Sequence, residues 1–171
     1  MDFKKHIRTI PNFPIEGIQF RDITTALKEP KALSESINTM KNLLKDIEFD
    51  VVIGPESRGF IFGVPLAVVS GVGFVPARKP KKLPANTISK TYDLEYGTNT
   101  IEIHKDAINP GQRIVIADDL LATGGTCKAV CELVKEAGAT VVASIFFIEL
   151  MELNGRETLE NYGEVFSVVQ Y

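Results

Sequence analysis

One stretch limits the fold more than any other. The apolar run RIVIA, residues 113–117, is too short for a helix, and it opens directly onto Asp118 and Asp119. A loop of small residues follows, ending in Ala122, Thr123, Gly124, Gly125 and Thr126, and then a helix-spaced segment from Cys127 to Ala137 closes on Gly138. The same order of buried strand, loop and helix occurs at Val51 to Ile53, the loop PESRGF and Gly59 to Val69. Further strands are predicted at Gly73 to Ala77, Val141 to Ile148 and Phe166 to Gln170, with a short helix over Gly155 to Asn161. Pro30 stands at a first helical position, and Leu33, Ile37, Met40, Leu44 and Ile47 then give one apolar helix face. Such alternation predicts an α/β fold: a central, mostly parallel sheet flanked by helices, which binds ligands beyond the carboxyl ends of its strands.

A chain of 171 residues buries roughly 70% of the surface it exposes when unfolded, so one domain over 1–171 is expected, with no metal or disulfide staple. Cys127 and Cys131, four apart in an apolar helical stretch, fit two buried small hydrophobes. With 19 basic against 22 acidic residues the net charge is −3, which argues against a nucleic-acid or anionic-membrane surface. A bound anion must therefore be held locally. The amino-terminal residues lack the apolar core of a signal peptide, no apolar run approaches the ~18 residues of a membrane span, and a cytoplasmic protein is expected. His6 and His104 are too isolated for a metal site or triad, and no GxSxG elbow is present.

Two segments depart from the alternation. IPNFPIEGIQFRDIT, with two prolines and a glycine, reads as ordered but irregular. From Arg78 to about His104 a basic, proline-bearing start is followed by YDLEYGTNTIEIH, whose alternation on either side of Gly97 predicts a mobile hairpin projecting as a hood over about 79–104. A connection of that length is more often functional than filler.

The chemistry concentrates after RIVIA. Gly124 and Gly125 allow the backbone to approach a phosphate, the Thr123 and Thr126 hydroxyls add donors, and the free N–H groups of the following helix point at the same place. A triphosphate loop would need a lysine, and none is present; the GxxxxG of Gly54 to Gly59 is likewise followed by Phe60 and Ile61 rather than Lys and Ser/Thr. No GxGxxG opens a helix either, so a monophosphate fits best. Asp118 and Asp119, adjacent on extended backbone, point to opposite sides and suit two sugar hydroxyls better than one shared metal.

With these residues in view, VIADDLLATGGT resembles the phosphoribosyl pyrophosphate (PRPP) motif of the type I phosphoribosyltransferases. The resemblance extends to the adenine phosphoribosyltransferases through FRDI (20–23), ESRGF (56–60), Arg78-Lys79 with Lys82-Leu83-Pro84, LEYG (94–97) and PGQR (110–113). It implies that residues Ala122, Thr123, Gly124, Gly125 and Thr126 hold the 5′-phosphate of PRPP, and Asp118 and Asp119 its ribose hydroxyls. Backbone N–H groups of the loop containing Ser57, together with Arg58, would meet the pyrophosphate. Arg78, Lys79 and Lys82 would balance pyrophosphate and Mg²⁺, a cofactor carried by PRPP rather than held directly by protein side chains. Phe20 would stack on adenine with Leu120 opposite, backbone groups near Gln19 and Arg21 would read the base edge, and Tyr96 and Glu95 belong to the LEYG motif, Glu95 as the proton-transfer carboxylate. Because the equivalent of Arg78 reaches a neighbouring subunit's site, a homodimer is implied.

The expected activity is purine salvage: transfer of the phosphoribosyl group to N9 of adenine, giving AMP and pyrophosphate, with adenine and PRPP as small-molecule partners. The rivals are the same chemistry on xanthine or hypoxanthine, which would need a donor for the carbonyl oxygen, and a non-catalytic PRPP-sensing regulator, which would need a basic surface or an added domain.

Overall fold

A computed structural model describes residues 1–93 and 97–171, and in it the chain forms two compact units, Met1–Thr39 and Met40–Tyr171. In the first, a 3-10 turn at Phe3–His6 leads into β1 (Arg8–Pro11), which pairs antiparallel with β2 (Gln19–Asp22) before α1 (Thr24–Leu27) and the start of α2 (Pro30–Leu43). The passage expected to be irregular is thus a hairpin, with Phe20 opposite Ile10 and Arg21 opposite Thr9. Strands of four residues, the first ending in Pro11, are too short to show a period. Asp22 closes the hairpin onto α1: its carboxylate accepts from the Thr24 hydroxyl at 2.7 Å and the Thr24 N–H at 2.9 Å and pairs with Arg8. Those bonds, the Thr24 hydroxyl first, lower its pKa to about 2.

The second unit runs β3 (Val51–Pro55), α3 (Arg58–Ser70), β4 (Gly73–Ala77), β5 (Thr87–Asp93), β6 (Thr98–His104), β7 (Arg113–Leu121), α4 (Gly125–Glu136), β8 (Thr140–Glu149), α5 (Gly155–Leu159) and β9 (Glu164–Gln170). Five strands form a wholly parallel sheet in the order β4-β3-β7-β8-β9, flanked by helices. Parallel strands covered on both faces must be apolar along their length, and β3 is buried at all five positions. Ile53, Ile114 and Ile116 are fully buried with Val130 and Leu133 of α4, each such side chain contributing about 1.5–3 kcal/mol on leaving water. Cys127 and Cys131 are buried free thiols on the same face, as expected.

Strand order fixes where a ligand can sit. From β3 the chain crosses to β4 on one side, whereas β7, β8 and β9 add on the other, so the connections diverge between β3 and β7. The crevice outside the carboxyl ends of those two strands is the position such sheets use for ligands.

β7 runs four residues beyond the predicted strand, through Leu121, because pairing with β8 continues at Asp118 with Phe146 and Leu120 with Ile148. The predicted hairpin is there as β5 and β6, paired from Thr87–His104 to Asp93–Thr98. One face is tied down: Ile101 and Ile103 are buried in the core with Ile88 and Tyr92 against it, and Lys90 meets Glu132 of α4 at 2.8 Å. Among the described residues no helix is long and apolar enough to cross a membrane.

Candidate active site

A cleft of about 230 Å³ opens where β3 and β7 diverge, lined by residues 118–127 on one side and by Glu56 and Arg58 on the other, with Phe146 beneath. It brings together Arg58, Asp118, Asp119, Leu120, Ala122, Thr123, Gly124, Gly125 and Thr126 of the predicted set.

The left-handed backbone that the glycine pair provides sits at one position. Gly124 takes φ +84, and Gly125 is already the first residue of α4. A side chain at 124 would place Cβ 2.8 Å from the Gly155 carbonyl oxygen and 3.0 Å from Thr158 Cβ. The turn delivers the first N–H groups of α4, which carry no side-chain cap, to the cleft, where the helix dipole also favours an anion. Thr126 donates its hydroxyl to the Tyr92 hydroxyl at 3.1 Å, linking the cradle to β5.

Alternation along a strand predicts that Asp118 and Asp119 diverge, yet both line the cleft. Asp118 turns one oxygen back to accept from the Asp119 N–H at 2.8 Å. Asp119 is 5% exposed and meets Arg58 Nε at 3.0 Å. Burial, reinforced by the Asp119 charge, pushes the Asp118 carboxyl well above the usual range. Burial also raises Asp119, although Arg58 opposes it. Two carboxyls so placed are poorly hydrated acceptors, ready for hydroxyl donors.

On the β3 side the Glu56–Ser57 peptide is cis, Ser57 is exposed at the start of α3, and Arg58 opens that helix. Arg78, just past β4, donates from Nε to Glu56 Oε2 at 2.7 Å and exchanges backbone hydrogen bonds with Glu102 of β6. It therefore ties the root of the hairpin to the loop after β3. Ser57, Arg78, Lys79 and Lys82 do not line the cleft, and both lysines are exposed. Phe20, partly buried with its ring edge-on to Phe13 at 5.2 Å, and Arg21, which donates to the Thr9 hydroxyl, lie on β2 of the first unit. Glu95 and Tyr96 lie outside the described residues.

Sequence reasoning missed the structure behind the cradle. Glu149, 2% exposed at the end of β8, receives Arg156 Nε at 2.6 Å and Nη2 at 2.7 Å, and the Ser167 hydroxyl at 2.6 Å. Burial opposes ionisation, but the Arg156 and Ser167 bonds outweigh it and the net shift is downward. The available signal was a lone Glu ending an apolar strand, with an Arg seven residues on.

Comparison with known proteins places this geometry among relatives. A family model described as the phosphoribosyl transferase domain matches residues 22–169. The chain is 56% identical over 171 residues to the adenine phosphoribosyltransferase of Clostridium botulinum (strain Alaska E43 / Type E3), covering 100% of this chain and 99% of that one. It is similar to the crystal structure of adenine phosphoribosyltransferase from Thermoanaerobacter pseudethanolicus, with TM-score 0.96, 52% identity and coverage of 99% and 98%. It is similar also to the Saccharomyces cerevisiae enzyme, solved with an imino-altritol bisphosphate and adenine, with TM-score 0.91, 38% identity and coverage of 98% and 96%.

Proposed function

The chain belongs to the phosphoribosyltransferase family, and from that premise we infer its reaction: transfer of the 5-phosphoribosyl group from PRPP to N9 of adenine, giving AMP and pyrophosphate in purine salvage. The observation that carries the reading is the cleft at the β3/β7 divergence, which joins an uncapped helix start, the buried Asp119, the half-buried Asp118 and an arginine within one small volume.

The residues divide the substrate among them. The 5′-phosphate sits on the Ala122–Thr126 turn against the α4 N–H groups, and Asp118 and Asp119 accept the ribose hydroxyls. Arg58 faces the pyrophosphate, so binding trades its pairing with Asp119 for the leaving group. N9 bonds to C1′ as the C1′–O bond breaks and its electron pair leaves with pyrophosphate. Mg²⁺, carried by PRPP rather than held by protein side chains, would supply charge neutralisation to that leaving group. Phe20 stacks on the base, Leu120 offers a second apolar surface, and backbone groups by Arg21 read the adenine edge. Lys79 and Lys82 are long cations beside the hairpin root, and Arg78 serves the same anionic region. Glu95, which with Tyr96 belongs to the LEYG motif, takes the proton that the purine loses.

The protein acts in the cytoplasm as a homodimer. Ile61, Val64 and Val68 form an exposed apolar stripe on α3 at helical spacing, which a second copy would cover. Turnover with PRPP and Mg²⁺ against a panel of bases tests the reading, and adenine should exceed guanine, hypoxanthine and xanthine by far; comparable rates with an oxopurine would sink it. For the proton acceptor, Glu95→Gln should slow single-turnover AMP formation by about 10² to 10⁴. Asp93→Asn is the matched control, and a Glu95→Gln rate within a few-fold of the parent rejects the role.

A further inference from the structure

The phosphate turn is held from behind by a segment that makes no contact with the substrate in the proposed pose. Thr158 of α5 donates its hydroxyl to the Thr123 carbonyl oxygen at 2.8 Å. The buried Gly155 lies so close that a Cβ there would strike the Ala122 carbonyl oxygen and come within 2.8 Å of a Leu121 methyl carbon. Gly124 leans on the same two residues, Gly155 and Thr158. Three successive members of the turn, residues 122, 123 and 124, are thus backed by one short helix.

A helix of five residues has little stability of its own, so something must fix it. Arg156 does so from inside α5. Its guanidinium spans Glu149 at the end of β8 and the Val165 carbonyl and Ser167 hydroxyl of β9. Bidentate pairing with a carboxylate that is itself buried fixes orientation as well as position. The path therefore runs from the last two strands through Arg156 to α5, and from α5 to the turn.

We propose that α5 is a brace for the 5′-phosphate turn, with Thr158 and Gly155 as positioning residues that hold its carbonyls back so that its N–H groups face the phosphate. The proposal rests on the reading of that turn as the phosphate site. A peptide unit cannot present its N–H to one side without aiming its C=O to the other, and the brace supplies the donor and the close contact on that other side. Without them the turn can rotate its peptides and lose ligand donors while the sheet stays intact.

Thr158→Val is nearly isosteric and removes only the hydroxyl donor. The KM for PRPP and the Kd for AMP, both carrying the 5′-phosphate, should rise together by about fivefold, as expected for loss of one hydrogen bond. The KM for adenine, and for pyrophosphate in the reverse reaction, should change less than twofold, with kcat and melting temperature near the parent's. Thr158→Ser should restore PRPP and AMP binding to within twofold. Gly155→Ala should act in the same direction and more strongly. The brace is refuted if Thr158→Val binds PRPP and AMP as the parent does, if its loss extends equally to adenine and pyrophosphate, or if Thr158→Ser fails to rescue. A parent protein that binds no PRPP would instead overturn the phosphate site itself.

Discussion

After β7 the chain offers a ligand mostly main chain: small residues, a glycine at φ +84 and the open N–H groups of α4. After β3, on the facing wall of the same cleft, it offers charged side chains already engaged with partners, Arg58 with Asp119 and Glu56 with Arg78. The first wall binds through fixed dipoles whose direction is set by backbone shape, so it is pre-organised and sensitive to volume. The second binds by exchanging one ion pair for another, so it is adjustable and sensitive to screening. A site that must grip one end of its substrate and release the other benefits from having one wall of each kind.

The sharpest way to break this contrast is Gly124→Val. Left-handed backbone is unfavourable for a β-branched residue, and the new side chain would collide with the Gly155 carbonyl. Affinity for PRPP should fall by about a hundredfold, equivalent to roughly 2.7 kcal/mol. Calorimetry on the folded variant that found near-parental affinity would show that the turn does not depend on this conformation.

A smaller effect is expected on the other wall. Arg58→Met should lower kcat/KM for PRPP about thirtyfold while leaving the adenine KM nearly unchanged, since it removes a cation and spares the main chain. If the second wall works by charge, raising the ionic strength should weaken PRPP use by the parent more than by this variant. Parallel salt curves for the two proteins would contradict the distinction.

The smallest change should come from Asp118→Asn, expected to weaken PRPP binding about tenfold while stabilising the protein at neutral pH. The sign follows from linkage. Burial raises the Asp118 pKa in the folded state, so this group's contribution to stability is fully present below its unfolded value near 3.9 and is lost as pH rises through the folded value. Asparagine cannot ionise, and the variant should melt higher than the parent at pH 7 and equally at pH 4. A variant that melts lower at both pH values would mean that the carboxylate is a net stabiliser.

The two walls were not equally legible in the sequence. The phosphate turn is contiguous, and an apolar strand, two acids, a glycine pair and a helix start imply its chemistry from residue types alone. Even there alternation misjudged Asp118 and Asp119, because the backbone N–H of Asp119 bends the Asp118 side chain back toward the cleft. Arg58 entered only by resemblance, since nothing local in a Pro, Ser and Gly turn indicates that its partner is an aspartate on another strand. Thr158 was invisible for a related reason: its acceptor is a backbone carbonyl 35 positions away, and any residue has one. The β1–β2 hairpin was hidden by strand length, and the extra residues of β7 by the habit of reading acids as loop.

The neighbouring positions of β3 and β7 also govern how the site comes into being. Asp50 and Arg113, which lock the start of that pair through the Arg113 N–H at 2.8 Å, are 63 positions apart, with the whole of α3, β4 and the β5–β6 hairpin between them. A chain emerging from the ribosome makes the arginine-bearing wall first and must hold the β7 edge of β3 unpaired until the second wall has been synthesised. Closing so long a loop is slow relative to forming any helix here. During that interval an apolar strand edge is open to other chains. Misassembly should therefore concentrate before β7 is available, and an amino-terminal fragment ending before residue 113 carries the Arg58 wall alone, because the wall it lacks belongs to the strand that β3 must pair with and on which β8 and β9 are added.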